Sequence, residues 1–405
     1  MITHTPVRFL DRTTPPHIFT LIVITGLGAL SMNIFLPSLP AMTTFFETEY
    51  RVMQLSVSLY LGVNAILQVL IGPISDRFGR RPVIIWGFAL FLLATIGCLL
   101  ASTIESFLLF RMMQAVIVVG LVLGRAVVRD MNDAENAASQ IGYVTMGMAI
   151  VPMIGPAIGG ALDQTLGWQA NFWLLLGLGA LTLALVHRDL GETAQTTSAS
   201  FAAQFREYPE LLTARRFWGY CACAAFASGA FFSYLGGAPF VGSEVFDMSA
   251  AQVGLFFGAP ALGYFFGNGI SGRYSTKLGI NRMILYGAVL TVLGMGTALA
   301  LFLVGFHNAY VFFGFTTFVG LGNGMVLPNA TSGMLSVRPH LAGTASGLGG
   351  AIMLGGGATL SALAGVVLTG GDSAYPLLLM MLATSILGVI AILYTIRREA
   401  QVSGA

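Results

Sequence analysis

The sequence predicts an all-α integral membrane protein of 12 transmembrane helices, arranged as two pseudo-symmetric six-helix bundles. Three observations predict it. The chain is too apolar for water: 56% of its 405 residues are hydrophobic and only 9% charged, with a mean hydropathy of +0.82, whereas soluble domains carry roughly 25% charged residues. The apolar residues fall in separate runs of membrane-crossing length, for which about 20 residues suffice. A short string near the end of the second run also recurs about half a chain later, and internal repeats mark transporters built from two related bundles.

The runs lie near 18–39, 53–73, 82–101, 107–128, 138–162, 170–187, 217–240, 251–270, 282–305, 310–333, 343–368 and 375–396. The first is followed by no small-residue cleavage site and reads as a retained span. An even number of spans puts both ends of the chain on one side. The cations choose that side: Arg77, Arg80, Arg81, Arg129, Arg188, Arg215, Arg216, Arg273, Lys277, Arg338, Arg397 and Arg398 all fall on the face of the termini. The opposite loops offer only Arg51. Cationic loops stay cytoplasmic, so both termini are expected in the cytoplasm. The longest polar connection separates a first bundle (1–187) from a second (217–405), with 188–216 as a cytoplasmic linker. The recurring string is Ile74-Ser75-Asp76-Arg77-Phe78, echoed as Ile270-Ser271-Gly272-Arg273-Tyr274, with Gly272 at the place of the acid.

Three motifs carry chemistry. The first is Gly72-Pro73-Ile74-Ser75-Asp76-Arg77-Phe78-Gly79-Arg80-Arg81 between spans 2 and 3, where Gly72 and Gly79 permit a tight turn. The second is Arg111-Met112-Met113-Gln114 in span 4, followed by Gly124-Arg125-Ala126-Val127-Val128-Arg129-Asp130. Arg111 and Arg125 are the strong charges well inside apolar runs. A cation there is expensive, so it either faces a protein or water-lined interior with a partner or, for Arg111, snorkels to the membrane edge. The third is the set Gly147, Pro152, Gly155, Pro156, Gly159 and Gly160 in span 5. Its small residues allow close helix approach and its prolines bend the helix, which suits a hinge packed against Gly254 and Gly258 of span 8.

Together these motifs resemble those of the major facilitator superfamily, in particular its bicyclomycin-resistance-type (Bcr/CflA) drug exporters, and the span pattern extends the resemblance over essentially the whole chain. The resemblance implies multidrug or antibiotic efflux by alternating access, with drug:proton antiport. It also implies a cytoplasmic latch, in which Asp76 meets the start of span 11 near Gly343-Thr344 while Arg77, Arg80 and Arg81 pair with Asp130 or Asp133. It gives Arg111, with Gln114, a role in proton coupling, and Arg125 a place in the gate network. The subgroup usually has an aspartate four residues before Pro37, where this chain has Asn33. Asparagine cannot titrate, so Glu105, Asp130 or another peripheral acid would have to carry the proton, or transport is uncoupled.

The substrate chamber is expected between the bundles, with Asn33, Phe35, Tyr60, Asn64, Gln68, Met146, Phe231, Tyr234 and Asn323 as candidate lining. Tyr60, Asn64 and Gln68 are spaced by four and share one face of span 2. Amides and aromatics in an apolar cavity suit a small amphiphilic, drug-like substrate. An exporter or uncoupled facilitator of an endogenous metabolite is the alternative. An enzyme is not expected: His187, His307 and His340 sit at span ends and His4 and His17 near the N-terminus, with no nucleophile–base pair or metal constellation among them. Cys98, Cys221 and Cys223 lie in apolar runs and read as packing residues. The net charge of +2 gives no reason to expect nucleic acid. The expected partners are the bilayer, protons and the substrate, with no cofactor, for a monomer in a bacterial inner (plasma) membrane.

Overall fold

The computed structural model describes residues 7–131, 151, 154–194, 209–338, 341–368 and 373–403. Among the described residues 11 helices are long and apolar enough to span a membrane. They are α1 (Ile18–Phe45), α2 (Tyr50–Phe78), α3 (Arg80–Leu100), α4 (Ile104–Val128), α6 (Gln169–Asp189), α7 (Arg215–Val245), α8 (Ala250–Leu278), α9 (Ile280–Leu303), α10 (Ala309–Val337), α11 (Ala345–Val367) and α12 (Tyr375–Gln401). A shorter helix, α5, covers 154–166. It is the end of the fifth predicted run, most of which lies outside the described residues, as do Met146, Gly147 and Pro152.

The packing repeats in the two halves. In the first, α1 packs on α4 and α6, α2 on α4, and α3 on α4 and α6. In the second, α7 packs on α10 and α12, α8 on α10, and α9 on α10 and α12. Each helix satisfies its own backbone, so only side chains need partners in lipid. Large apolar residues accordingly point outward: Trp86, Leu93 and Leu100 form one exposed stripe on α3, and Trp173 and Leu181 another on α6.

The turns between α2 and α3 and between α8 and α9 share one backbone. Gly79 has φ 92 and ψ 154, and Gly279 has φ 82 and ψ 154. This region of conformational space is essentially closed to residues with a Cβ. The pairing of Gly79 with Gly279 corrects the register of the sequence echo by about one helical turn: Gly272 corresponds to Gly72, and Thr276, not Gly272, occupies the place of Asp76. At Gly79 a Cβ would also meet the Glu192 carboxylate, whereas at Gly279 the space is open. Gly79→Ala is therefore expected to lower stability by about 1–3 kcal/mol and Gly279→Ala by less, an order that thermal unfolding of the two variants in detergent checks.

The bundles meet along α2 and α11 and where α8 crosses α1 and α5. Among the described residues, the hydrogen bonds that join them sit at the end away from the arginine-rich face. The Tyr50 hydroxyl donates to the Gly236 carbonyl at 2.9 Å. Gln54 Nε2 donates to Ser361 Oγ at 2.7 Å and to its carbonyl at 3.1 Å. At the same end Gly160 lies against the Ala250 carbonyl and Gly254 against that of Pro156, with no room for a Cβ at either. The close contact expected between spans 5 and 8 thus runs through Gly160 and Gly254. Gly258 instead caps the helix that begins at Ala259.

Candidate functional site

The arginine-rich turn is held by one side chain that reaches three helices. Arg80, at the start of α3, pairs with Asp76 of α2 at 2.5 Å and with Asp130 at 3.0 Å, in the last turn of the helix that continues α4 to Met131, and donates to Ser75 Oγ. It is nearly buried, so both carboxylates act in a poorly screened setting where charge-assisted hydrogen bonds are strongest. Arg81 turns the other way, donating to the Leu190 carbonyl at 2.9 Å and the His187 carbonyl at 3.3 Å. Arg77 lies over the ring of its neighbour Phe78. Of the three arginines expected to pair with Asp130, Arg80 does so and the other two do not. Asp133 lies outside the described residues, as do the side chains of Arg129 and Thr344.

Two acids that the sequence reading passed over complete this end. A helix N-terminus has free amides and a partial positive charge. At α3 Glu192 supplies the anion: Oε1 accepts from Arg80 N at 2.8 Å and Oε2 from Arg81 N at 3.2 Å. Asp189, fully buried at the end of α6, accepts from Leu10 N at 2.6 Å, His17 N at 2.9 Å and Thr20 Oγ1 at 2.6 Å. It ties the segment before α1 to α6. The sequence signal was an acidic pair just past span 6, directly opposite a cationic turn.

Deeper in the first bundle Arg111 is 1% exposed. It faces the interior and does not snorkel. Nη1 donates to Gln114 Oε1 at 2.7 Å, Nη2 to the Ser31 carbonyl at 2.9 Å, and Gln114 Nε2 passes the chain on to Thr95 Oγ1 at 2.7 Å. The guanidinium lies 4.0 Å from the Tyr60 ring centroid and 4.3 Å from that of Phe35. No carboxylate among the described residues pairs with it. Aromatic faces and neutral oxygens stabilise the guanidinium there. Asn33 is not part of this cluster, since its Nδ2 donates to the Ala29 carbonyl one turn back.

Phe35, Tyr60 and Tyr234, expected to line a chamber, are instead packed inside their bundles. Phe35 and Tyr60 flank Arg111. Tyr234 is fully buried, with its hydroxyl donating to the Phe257 carbonyl and its ring against Phe257 and Phe313. Of the remaining described candidates, one meets the other bundle. Gln68 reaches toward Gly350 of α11, Phe231 is partly exposed, and Asn64 and Asn323 are nearly buried, the latter with Oδ1 unpartnered. Arg125, near the end of α4, is exposed. Gly155 packs on Leu30 and Gly159 on the Ile34 carbonyl, so this part of α5 sits tightly on α1.

Hydrogen bonds among the described residues hold the two bundles together at one end. Comparison with known proteins identifies the family. The model described as Major Facilitator Superfamily matches residues 21–361. The chain is 31% identical over 375 residues to a chloramphenicol resistance protein of Pseudomonas aeruginosa, covering 90% of this chain and 87% of that protein. It is 26% identical over 397 residues to a bicyclomycin resistance protein homolog of Haemophilus influenzae, covering 95% and 98%. In fold it is similar to a crystal structure of a bacterial homolog of the human lysosomal transporter Spinster, with a TM-score of 0.70, 16% identity, and 94% and 95% of the two chains covered.

Proposed function

The chain belongs to the major facilitator superfamily, a family of transporters, and we propose that it exports small amphiphilic, drug-like compounds across a bacterial inner membrane by alternating access. The observation that carries this reading is the near full-length similarity to chloramphenicol and bicyclomycin resistance proteins. It is supported by bundles that, among the described residues, hydrogen-bond only at the end away from the arginine-rich face. In this reading the arginine-rich face, with both termini and the linker, is cytoplasmic. Substrate enters from that side, and a monomer rocks its two bundles about the enclosed site. The Arg80–Asp76–Asp130 cluster keeps the turn rigid enough to serve as the cytoplasmic latch when that side closes.

Export in exchange for protons is the energy source this reading adopts, with Glu105 or Asp130 as the titrating acid, because Asn33 cannot titrate. A second reading, an uncoupled facilitator of an endogenous metabolite, is favoured by that same asparagine. Inverted vesicles loaded with a pH-sensitive dye separate the two. Addition of chloramphenicol is expected to release protons in wild type, and more strongly in Asn33→Asp. Substrate movement without any proton signal in either protein would leave the uncoupled reading standing.

A further inference from the structure

The end where the bundles meet is organised around one side chain. Gln54 of α2, fully buried, is lodged in a slot of the second bundle between α7 and α11. Its Nε2 donates to the hydroxyl and the carbonyl of Ser361. Its body lies against Gly365, one turn further along α11, and its amide against Gly236 of α7. A Cβ at Gly365 would stand 2.7 Å from Gln54 Cγ, and one at Gly236 2.5 Å from Nε2. Tyr50, one turn before Gln54, closes the slot beside it, with its hydroxyl on the Gly236 carbonyl and its ring centroid 5.0 Å from that of Phe240. Two further features favour release from this seat. Gln54 Oε1 is buried with no hydrogen-bond partner among the described residues, and a buried, unmet acceptor counts against the closed arrangement. The helices also break at this end. Gln54 is itself the joint between the turn Tyr50–Met53 and the long helix Leu55–Phe78. α7 ends in a π-helical turn, Val241–Val245, directly after Phe240, and α8 divides into Ala250–Phe256 and Ala259–Leu278. Irregular turns of this kind often mark hinges.

We propose that Gln54 is the key of the outer gate: seated between Gly236, Ser361 and Gly365 it holds the transporter closed on the side away from the arginine-rich face, and its withdrawal is the step that opens that side. The proposal rests on the alternating-access reading and deepens it. Withdrawal breaks two hydrogen bonds to Ser361 and gives Oε1 access to water, so the gain and the loss oppose each other and the step is reversible. Glu49, Arg51, Glu244 and Asp247, the charged residues on the segments around the gate, are all exposed, and Glu49 pairs with Arg51. The described lining of the slot is neutral, so pH has no direct purchase on it. Gln54→Glu removes that neutrality. A protonated carboxyl donates to Ser361 as the amide does, whereas an ionised one sets a buried charge against the Ser361 carbonyl, which is far less favourable.

The test measures the spacing of the outer ends by double electron–electron resonance in the full chain, reconstituted in nanodiscs with its cysteines replaced by alanine. Spin labels go on Ser102 and Val304, exposed turn residues of the first and second bundle. Gln54→Ala is expected to raise the fraction of molecules open at that end at least threefold over wild type. Desolvation favours the neutral form of a buried carboxyl, so Gln54→Glu is expected to match wild type at about pH 5 and to open at least threefold more often than wild type at about pH 8. Wild-type spacing in Gln54→Ala overturns the proposal, and so does a Gln54→Glu distribution that moves no more with pH than that of wild type. If Gln54→Ala fails to fold, Gln54→Glu still decides the matter, because its two states are compared in one sample. No substrate enters the measurement. A gate that opens as expected in a protein that moves no chloramphenicol supports the role of Gln54 and removes the export reading alone.

Discussion

Gly320→Val is expected to abolish a stably folded second bundle. At Gly320 on α10 a Cβ would overlap the Pro260 carbonyl, with the Tyr264 backbone nitrogen 2.8 Å away. On the facing helix Gly263 lies against the Thr317 carbonyl and Gly267 against that of Leu321, and Gly324 returns the contact at the Tyr264 carbonyl. The obstacle at each is backbone, which cannot change rotamer. Adding side-chain volume forces α8 and α10 apart over their shared length and surrenders the dispersion contacts that bind helices in lipid. Overpacking a tight core costs about 1–3 kcal/mol, and valine at a backbone-to-backbone contact falls at or above the top of that range. Thermal unfolding in detergent should show loss of a monodisperse folded species. Gly296→Val on α9, where nothing crowds the site, is expected to leave that species intact.

Arg111→Lys should be nearly as damaging, although it keeps the charge. The guanidinium is flat and lies between the rings of Phe35 and Tyr60 while its edge donates to Gln114 and Ser31. An ammonium is compact and strongly hydrated and cannot present a face to each ring and an edge to two acceptors. Cation–π contacts contribute about 2 kcal/mol when desolvated. Losing the geometry of two such contacts is expected to lower stability by about 2–4 kcal/mol and transport by more than tenfold. Chemical or thermal denaturation and a vesicle uptake assay measure the two. If Arg111→Lys matches wild type in both, the planar sandwich has no role.

The fold was legible because hydropathy and cation placement act at the scale of whole helices, and the arginine-rich turn because its residues are contiguous. Three arginines were candidates for Asp130 or Asp133, and Arg80 meets Asp130; Arg111 was open between the interior and the membrane edge, and it is buried. The aromatics were harder to read. Tyr60 shares a helical face with Asn64 and Gln68, yet its ring packs under Arg111. Spacing gives a direction around the helix axis and does not say whether a bundle or a cavity lies there. The repeat was found one turn out of register because a four-residue shift keeps every side chain on nearly the same helix face. The twin positive-φ glycines fix it only once the backbone is known. Glu192 and Asp189 were read as part of a solvated linker, since nothing local in a loop acid shows which distant amides it will reach.

That last pair sets where the molecule can be divided. Severing the gene at codon 187, the boundary suggested by hydropathy, would leave the leading fragment without the carboxylates that close α3 and fasten residues 10–20. Complementation by co-expressed fragments should therefore succeed with a break after Ala194 and fail with one before Asp189. Residues 189–194 thus belong with the first bundle and not with the polar linker.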